Sequence, residues 1–179
     1  MPRGLTPAHH AAGGLLRDVV LVLLLFGLGG AGGGLLWRWL WTPLHGTVLD
    51  GTWYPATNSS DFSATGLYVL IGLGLGLVLG VVSGLVTDRR ELVTLGLVVA
   101  GSLLAAEVMR AVGAIGMPAD PSVLARSAAD GTQLPGTLIV RGWTPVVAWP
   151  AGALVGLFVV FIGLTRKPVE ERHRVDAAG

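Results

Sequence analysis

Four uncharged apolar runs, each near the length of a bilayer crossing, leave this chain few ways to fold. Val19–Leu36 is eighteen residues without a charge, Gly66–Val86 is twenty-one, Leu92–Ala106 is fifteen and Pro145–Leu164 is twenty. A helix rises about 1.5 Å per residue, so about twenty residues cross a hydrocarbon core of about 30 Å. Inside lipid a chain must satisfy its own backbone N–H and C=O groups, and a helix does so within one segment. The expected fold class is therefore all-α: an integral membrane bundle of four transmembrane helices with two outer loops, the second carrying a short surface helix. The expected divisions are an N-terminal lead at 1–18, a transmembrane domain at 19–164 and a C-terminal tail at 165–179. Within the domain the spans fall at about 19–41, 65–86, 92–113 and 145–164.

Positive charge orients the bundle. Arg3, Arg17, Arg89, Arg90, Arg166, Lys167, Arg172 and Arg174 give eight cations on the side of the termini, against Arg38, Arg126 and Arg141 in two longer loops. The positive-inside rule puts both termini in the cytoplasm and both long loops outside, as a multi-pass plasma-membrane protein. The formal net charge of +1 says little, because the distribution carries the signal, and that distribution is ordinary membrane-flanking charge with no basic nucleic-acid face. The first span runs into Trp37-Arg38-Trp39-Leu40-Trp41 with no small-x-small cleavage site, which predicts an uncleaved span. Those three tryptophans are expected as an interfacial belt, with Trp143 and Trp149 near the same boundary. No cysteine is present, which rules out disulfides and thiolate metal ligands within the chain. Eleven arginines against one lysine, with abundant Ala, Gly and Val, point to a GC-rich bacterial genome.

The polar segments carry turn chemistry. Thr47-Val48-Leu49 and Thr52-Trp53-Tyr54 flank Asp50-Gly51, a pair favoured in tight turns, and predict a small hairpin in the first outer loop. Asn58-Ser59-Ser60 matches a glycosylation pattern that has no meaning in a bacterium. In Thr87-Asp88-Arg89-Arg90-Glu91, Asp88 is expected to cap the third helix, and the short link sets spans two and three antiparallel as a pair. In the second loop, Asp120-Pro121 is a cap followed by proline at the first helical position, predicting a surface helix over Pro121–Ala129. Leu138-Ile139-Val140 reads as extended.

Small residues supply the packing code. Gly72, Gly76, Gly80 and Gly84 recur every four residues along span two. Each step drifts about 40°, so together they line one continuous groove. Lipid removes the hydrophobic drive between helices, and association then depends on the close backbone approach that small residues permit. Span four repeats the device with Ala148, Gly152 and Gly156, span three with Gly96 and Ala100, and span one with a dense run from Gly27 to Gly34. That run lacks the Lys-Ser or Lys-Thr of a phosphate loop. The grooves serve either the four spans of one molecule or a partner subunit.

Glu107 and Arg110 are the charges within a span, three residues apart on one face of the third. Ionisable residues at membrane depth are functional candidates, and these two are also placed to pair near the outer headgroups. Catalytic, cofactor and metal sites are not expected. His45, Asp50, Asp61, Asp120 and Asp130 read as turn and cap residues, and Thr94 and Ser102 as local hydrogen-bond donors.

From Asp61 to Leu164 the chain resembles a family of small actinobacterial membrane proteins of unknown function, the DUF2567 type. The resemblance rests on Asp61-Phe62 before a glycine-rich span, on Arg110-Ala111-Val112-Gly113-Ala114-Ile115-Gly116, on Asp120-Pro121 and on Trp149-Pro150. It implies four spans in an actinobacterial plasma membrane and brings no catalytic residues. The expected role is a non-enzymatic accessory or scaffolding subunit of a cell-envelope or membrane complex. Its partners would be the lipid bilayer and another subunit or a second copy. The alternative is a small oligomeric transporter or channel using Glu107 and Arg110.

Overall fold

Each apolar run forms one helix, and the helices pair out of sequence order. The structure, a computed structural model, describes residues 8–43, 45–56, 60–87, 91–138, 140 and 142–165. Among the described residues five α-helices, α1 (Ala8–Leu40), α2 (Ser60–Val86), α3 (Glu91–Ala114), α4 (Pro121–Leu124) and α5 (Ala148–Thr165), accompany three strands, β1 (His45–Leu49), β2 (Thr52–Pro55) and β3 (Gln133–Pro135). Gly14–Leu40, Ala64–Val86, Leu92–Ala114 and Thr144–Gly163 are long and apolar enough to cross a membrane. Their bounds lie close to the expected spans. The first helix starts earlier, and so takes Arg17 and Asp18 into its body. Its glycine run stays helical throughout, with no break.

The α2 groove is filled by α5. A Cβ at Gly76 would lie 2.5 Å from the Trp149 carbonyl oxygen, and one at Gly80 would collide with the Ala153 carbonyl. The relation is reciprocal: Gly152 abuts the Leu73 carbonyl and Gly156 the Leu77 carbonyl. Gly72 meets the Trp149 ring, and Gly84 meets Leu157 and Val160. Backbones this close gain dispersion and Cα–H···O contacts that a larger side chain forbids. Partner numbers rise together along the two helices, so α2 and α5 run parallel. α1 and α3 form a second parallel pair, in which Gly30 meets Ala105, Gly34 meets Met109 and Gly101 meets Phe26. The short α2–α3 link joins these two pairs. The principal partner of α2 is α5, not α3 as the link suggested.

At the end where α1 finishes and α2 begins, here the cap end, the two long loops knit into one layer. Its three-stranded antiparallel sheet has the order β2-β1-β3. Asp50 and Gly51 both take positive φ, 49° and 67°, as a two-residue turn of the favoured twist requires. The hairpin thus forms with Val48 opposite Trp53. The second loop supplies β3, with Thr47 opposite Gln133, and the ladder continues through Val48 N–H to the Thr132 carbonyl at 2.9 Å. Asp130 Oδ1 accepts from the Asp50 N–H at 2.9 Å, tying the loops together at the turn.

The architecture is mostly helical with one small sheet that an all-α class leaves out, and two further details differ. Of the segment expected to be extended, Leu138 turns into the core, and Ile139 lies outside the described residues. The surface helix is shorter than Pro121–Ala129: Asp120 caps α4 through the Ser122 N–H at 2.9 Å, and a 3-10 turn over Ala125–Ser127 follows. Trp37 leaves the expected belt. Residues two apart on a helix point about 200° apart, so Trp37 is 1% exposed while Trp39 is 80% exposed. Trp149 is likewise buried, whereas Trp143 is exposed. The roles expected for Asp88 and Asn58 lie outside the described residues, as do the tail at 166–179 and the lead at 1–7.

Candidate functional site

Helical spacing on α3 sets Glu107 and Arg110 side by side, with Arg110 Nη2 3.4 Å from Glu107 Oε2. Glu107 is seven residues before the end of α3, about 10 Å below the cap end, and Arg110 is about 6 Å below it. Both stay open, with side chains 50% and 43% exposed, so the pair is no sealed relay within the bundle. They line an open cleft of about 310 Å³ between α3 and the second loop, floored by Trp37 and walled by Leu138 and Val140.

The cleft stands on a rigid base. Trp37 Nε1–H donates to the Ala64 carbonyl at 2.9 Å, and Tyr68 O–H donates to the Ala106 carbonyl at 2.9 Å. The two rings meet edge to face with centroids 5.3 Å apart. Trp149 Nε1–H points to Met109 Sδ at 3.3 Å. Above the pair, Arg38 donates to the Ile115 carbonyl, placing a cation at the C-terminal end of α3 where the helix dipole favours it. Gly116 follows with φ of 73° and stops the helix.

Chemically the cleft offers one anion and one cation with water access, which suits a zwitterionic or hydrogen-bonding contact. Among the described residues no group of three or more His, Asp or Glu could hold a metal. His45 opens β1 at the surface, and Asp50, Asp120 and Asp130 serve turns and caps. Gly72, Gly76, Gly80 and Gly84 all face α5. Gly96, by contrast, has nothing within 4 Å, and Ala100 beside it is exposed. Ser102 Oγ donates to the Val99 carbonyl at 2.8 Å, while buried Thr94 Oγ1 has no hydrogen-bond partner.

Sequence reading passed over Asp18, which is 5% exposed on α1. A carboxylate just outside an apolar run looks like a flank, and only the earlier start of the helix brings it inside. No protein-family model matches the chain, and no curated protein or solved structure matches it.

Proposed function

We propose that this protein is a four-span plasma-membrane protein with cytoplasmic termini, serving as a non-enzymatic accessory or scaffolding subunit of a cell-envelope complex. The observation that carries the reading is a face of α3 which the molecule does not use itself. Gly96, Ala100, Leu103, Glu107, Ala111 and Ala114 are all exposed and lie within about 80° of one another around the helix. The small-residue faces of α2 and α5 are filled by each other; this one is open over Gly96, Ala100 and Leu103 and ends in the cleft that Leu138 and Val140 wall beside Glu107, Ala111 and Ala114. Lipid-embedded helices associate through such faces, and the Glu107–Arg110 pair at its outer end adds polar specificity. The likeness to actinobacterial DUF2567-type proteins and the distribution of arginine support the compartment and the orientation.

A photo-crosslinking residue at Ala100 in native membranes is the direct test. It should yield a discrete protein adduct, identifiable by mass spectrometry, while the same residue at exposed Leu70 on α2 yields lipid adducts. Lipid adducts alone from Ala100 would refute the reading. The open cleft favours a transporter or channel as the second reading. That reading requires a flux in reconstituted vesicles that disappears in Glu107→Gln with the fold intact.

A further inference from the structure

The cleft beside α3 holds charge that the fold satisfies only in part. A guanidinium carries several N–H donors and a carboxylate several acceptor sites, and the 3.4 Å contact between Arg110 Nη2 and Glu107 Oε2 engages a fraction of them. Both side chains stay about half exposed, so their remaining valence faces whatever surrounds the bundle. The 24 residues of α3 extend about 36 Å, more than the hydrocarbon core of about 30 Å. In a membrane-crossing α3, Arg110 then falls at the base of the headgroup layer on the cap side, with Glu107 about one turn deeper. Charge at that depth is costly unless a polar partner meets it. The other walls, Ala111, Ala114, Leu138 and Val140, are apolar, and the volume of about 310 Å³ is at the small end of the range for ligand sites.

We propose that this cleft binds the headgroup of a zwitterionic aminophospholipid, phosphatidylethanolamine, in the leaflet at the cap end, with Arg110 on the phosphate and Glu107 on the ammonium. Charge selects the class. One cation and one anion with tips 3.4 Å apart match a zwitterion whose phosphate and amine are joined by a short ethylene linker. A lipid of net negative charge would set its surplus against the Glu107 carboxylate. The planar guanidinium fork suits two phosphate oxygens, and it can hold them beside the existing contact to Glu107. A primary ammonium donates hydrogen bonds to a carboxylate, which a choline headgroup cannot do. Choline is recognised by cages of aromatic rings, and among the described residues lining the cleft Trp37 alone is aromatic, at 1% exposure. The apolar walls take the glycerol and the first acyl methylenes through dispersion contacts that free phosphoethanolamine lacks. The inference rests on the four-span reading and on no protein partner, because the face over Gly96, Ala100 and Leu103 lies deeper along α3 than the cleft.

Native mass spectrometry of the full-length protein, equilibrated in detergent with defined phospholipids of one acyl composition, is the test. Phosphatidylethanolamine should be retained about ten-fold more strongly than phosphatidylcholine or phosphatidylglycerol, the effect of about one charge-assisted hydrogen bond. Glu107→Gln should lose that preference while still retaining lipid, and Arg110→Gln should lose the tightly held lipid whatever its headgroup. Ala114→Leu, which keeps both charges and narrows the cleft, should weaken retention several-fold. Leu70→Ala, at an exposed position on α2, should behave as the unaltered protein does. Equal retention of the three lipids would overturn the proposal, as would a preference that survives both Glu107→Gln and Ala114→Leu. Free glycerophosphoethanolamine at millimolar concentration should not displace the lipid; displacement would make the ligand a soluble zwitterion and overturn the lipid assignment. Retention of no phospholipid at all would overturn the four-span reading, and this inference with it.

Discussion

Gly80→Leu should lower the Tm of the solubilised protein by about 6–12 °C, while Gly74→Leu on the same helix leaves it unchanged or slightly raised. At Gly80 the obstacle is the Ala153 backbone carbonyl, which cannot rotate aside as a side chain could, so α5 as a whole must move. Overpacking typically costs about 1–3 kcal/mol, and a backbone clash belongs at the upper end; for a chain of this length each kcal/mol shifts Tm by about 2–4 °C. At Gly74 nothing lies within 4 Å. Leucine there enters open space and improves helix propensity by about 0.8 kcal/mol. Differential scanning fluorimetry in one detergent compares the two directly. Equal behaviour of the two variants would mean that the α2–α5 seam is not the main contact.

Trp37→Ala should be the most damaging large-to-small change, at about 3–5 kcal/mol. It removes the edge-to-face contact with Tyr68, the 2.9 Å hydrogen bond to Ala64 and the ring packed over Gly113. The loss is mainly one of dispersion contacts, because the emptied space has no atoms to replace the indole. The Ala64 carbonyl would lose this second donor and keep only its place in the ladder of α2. Trp37→Phe should recover much of the packing but not the hydrogen bond. Trp39→Ala, two residues on and exposed, should change stability little. Chemical denaturation followed by the remaining tryptophan fluorescence measures all three.

How much of this could be read beforehand follows from the range of each signal. The four long apolar helices were legible because length and the absence of charge are local properties, and an apolar run of that length has a helix as its default. The hairpin was legible because Asp50-Gly51 carries its backbone geometry in two residues. The Asp120-Pro121 cap was local in the same way. The partner of each groove was not legible. Spacing of Gly72, Gly76, Gly80 and Gly84 defines a face, but alternation of direction along the chain allows α2 either an antiparallel neighbour or the parallel α5. β3 was missed because Gln133-Leu134-Pro135 has no alternating pattern; its pairing is set by β1, more than eighty residues away. The burial of Trp37 was not legible because the Trp37-Arg38-Trp39-Leu40-Trp41 run shows one aromatic cluster, and only the helix's rotation separates an inward Trp37 from an outward Trp39. At the candidate site, the Glu107–Arg110 spacing was visible, whereas the cleft depends on Leu138 and Val140 folding back from the second loop. Asp18 and Ser83 come together only through the packing of α1 on α2.

The central claim is a four-span protein whose two long loops form one cap on the outer face. Because the chain has no cysteine, single thiols at Thr52, Ser127 and Ala178 can be probed in intact cells with an impermeant reagent. Thr52→Cys in the hairpin and Ser127→Cys beyond α4 should both label before lysis, and Ala178→Cys only after it. Labelling of Ala178→Cys in intact cells, or of only one of the two loop thiols, would contradict the account.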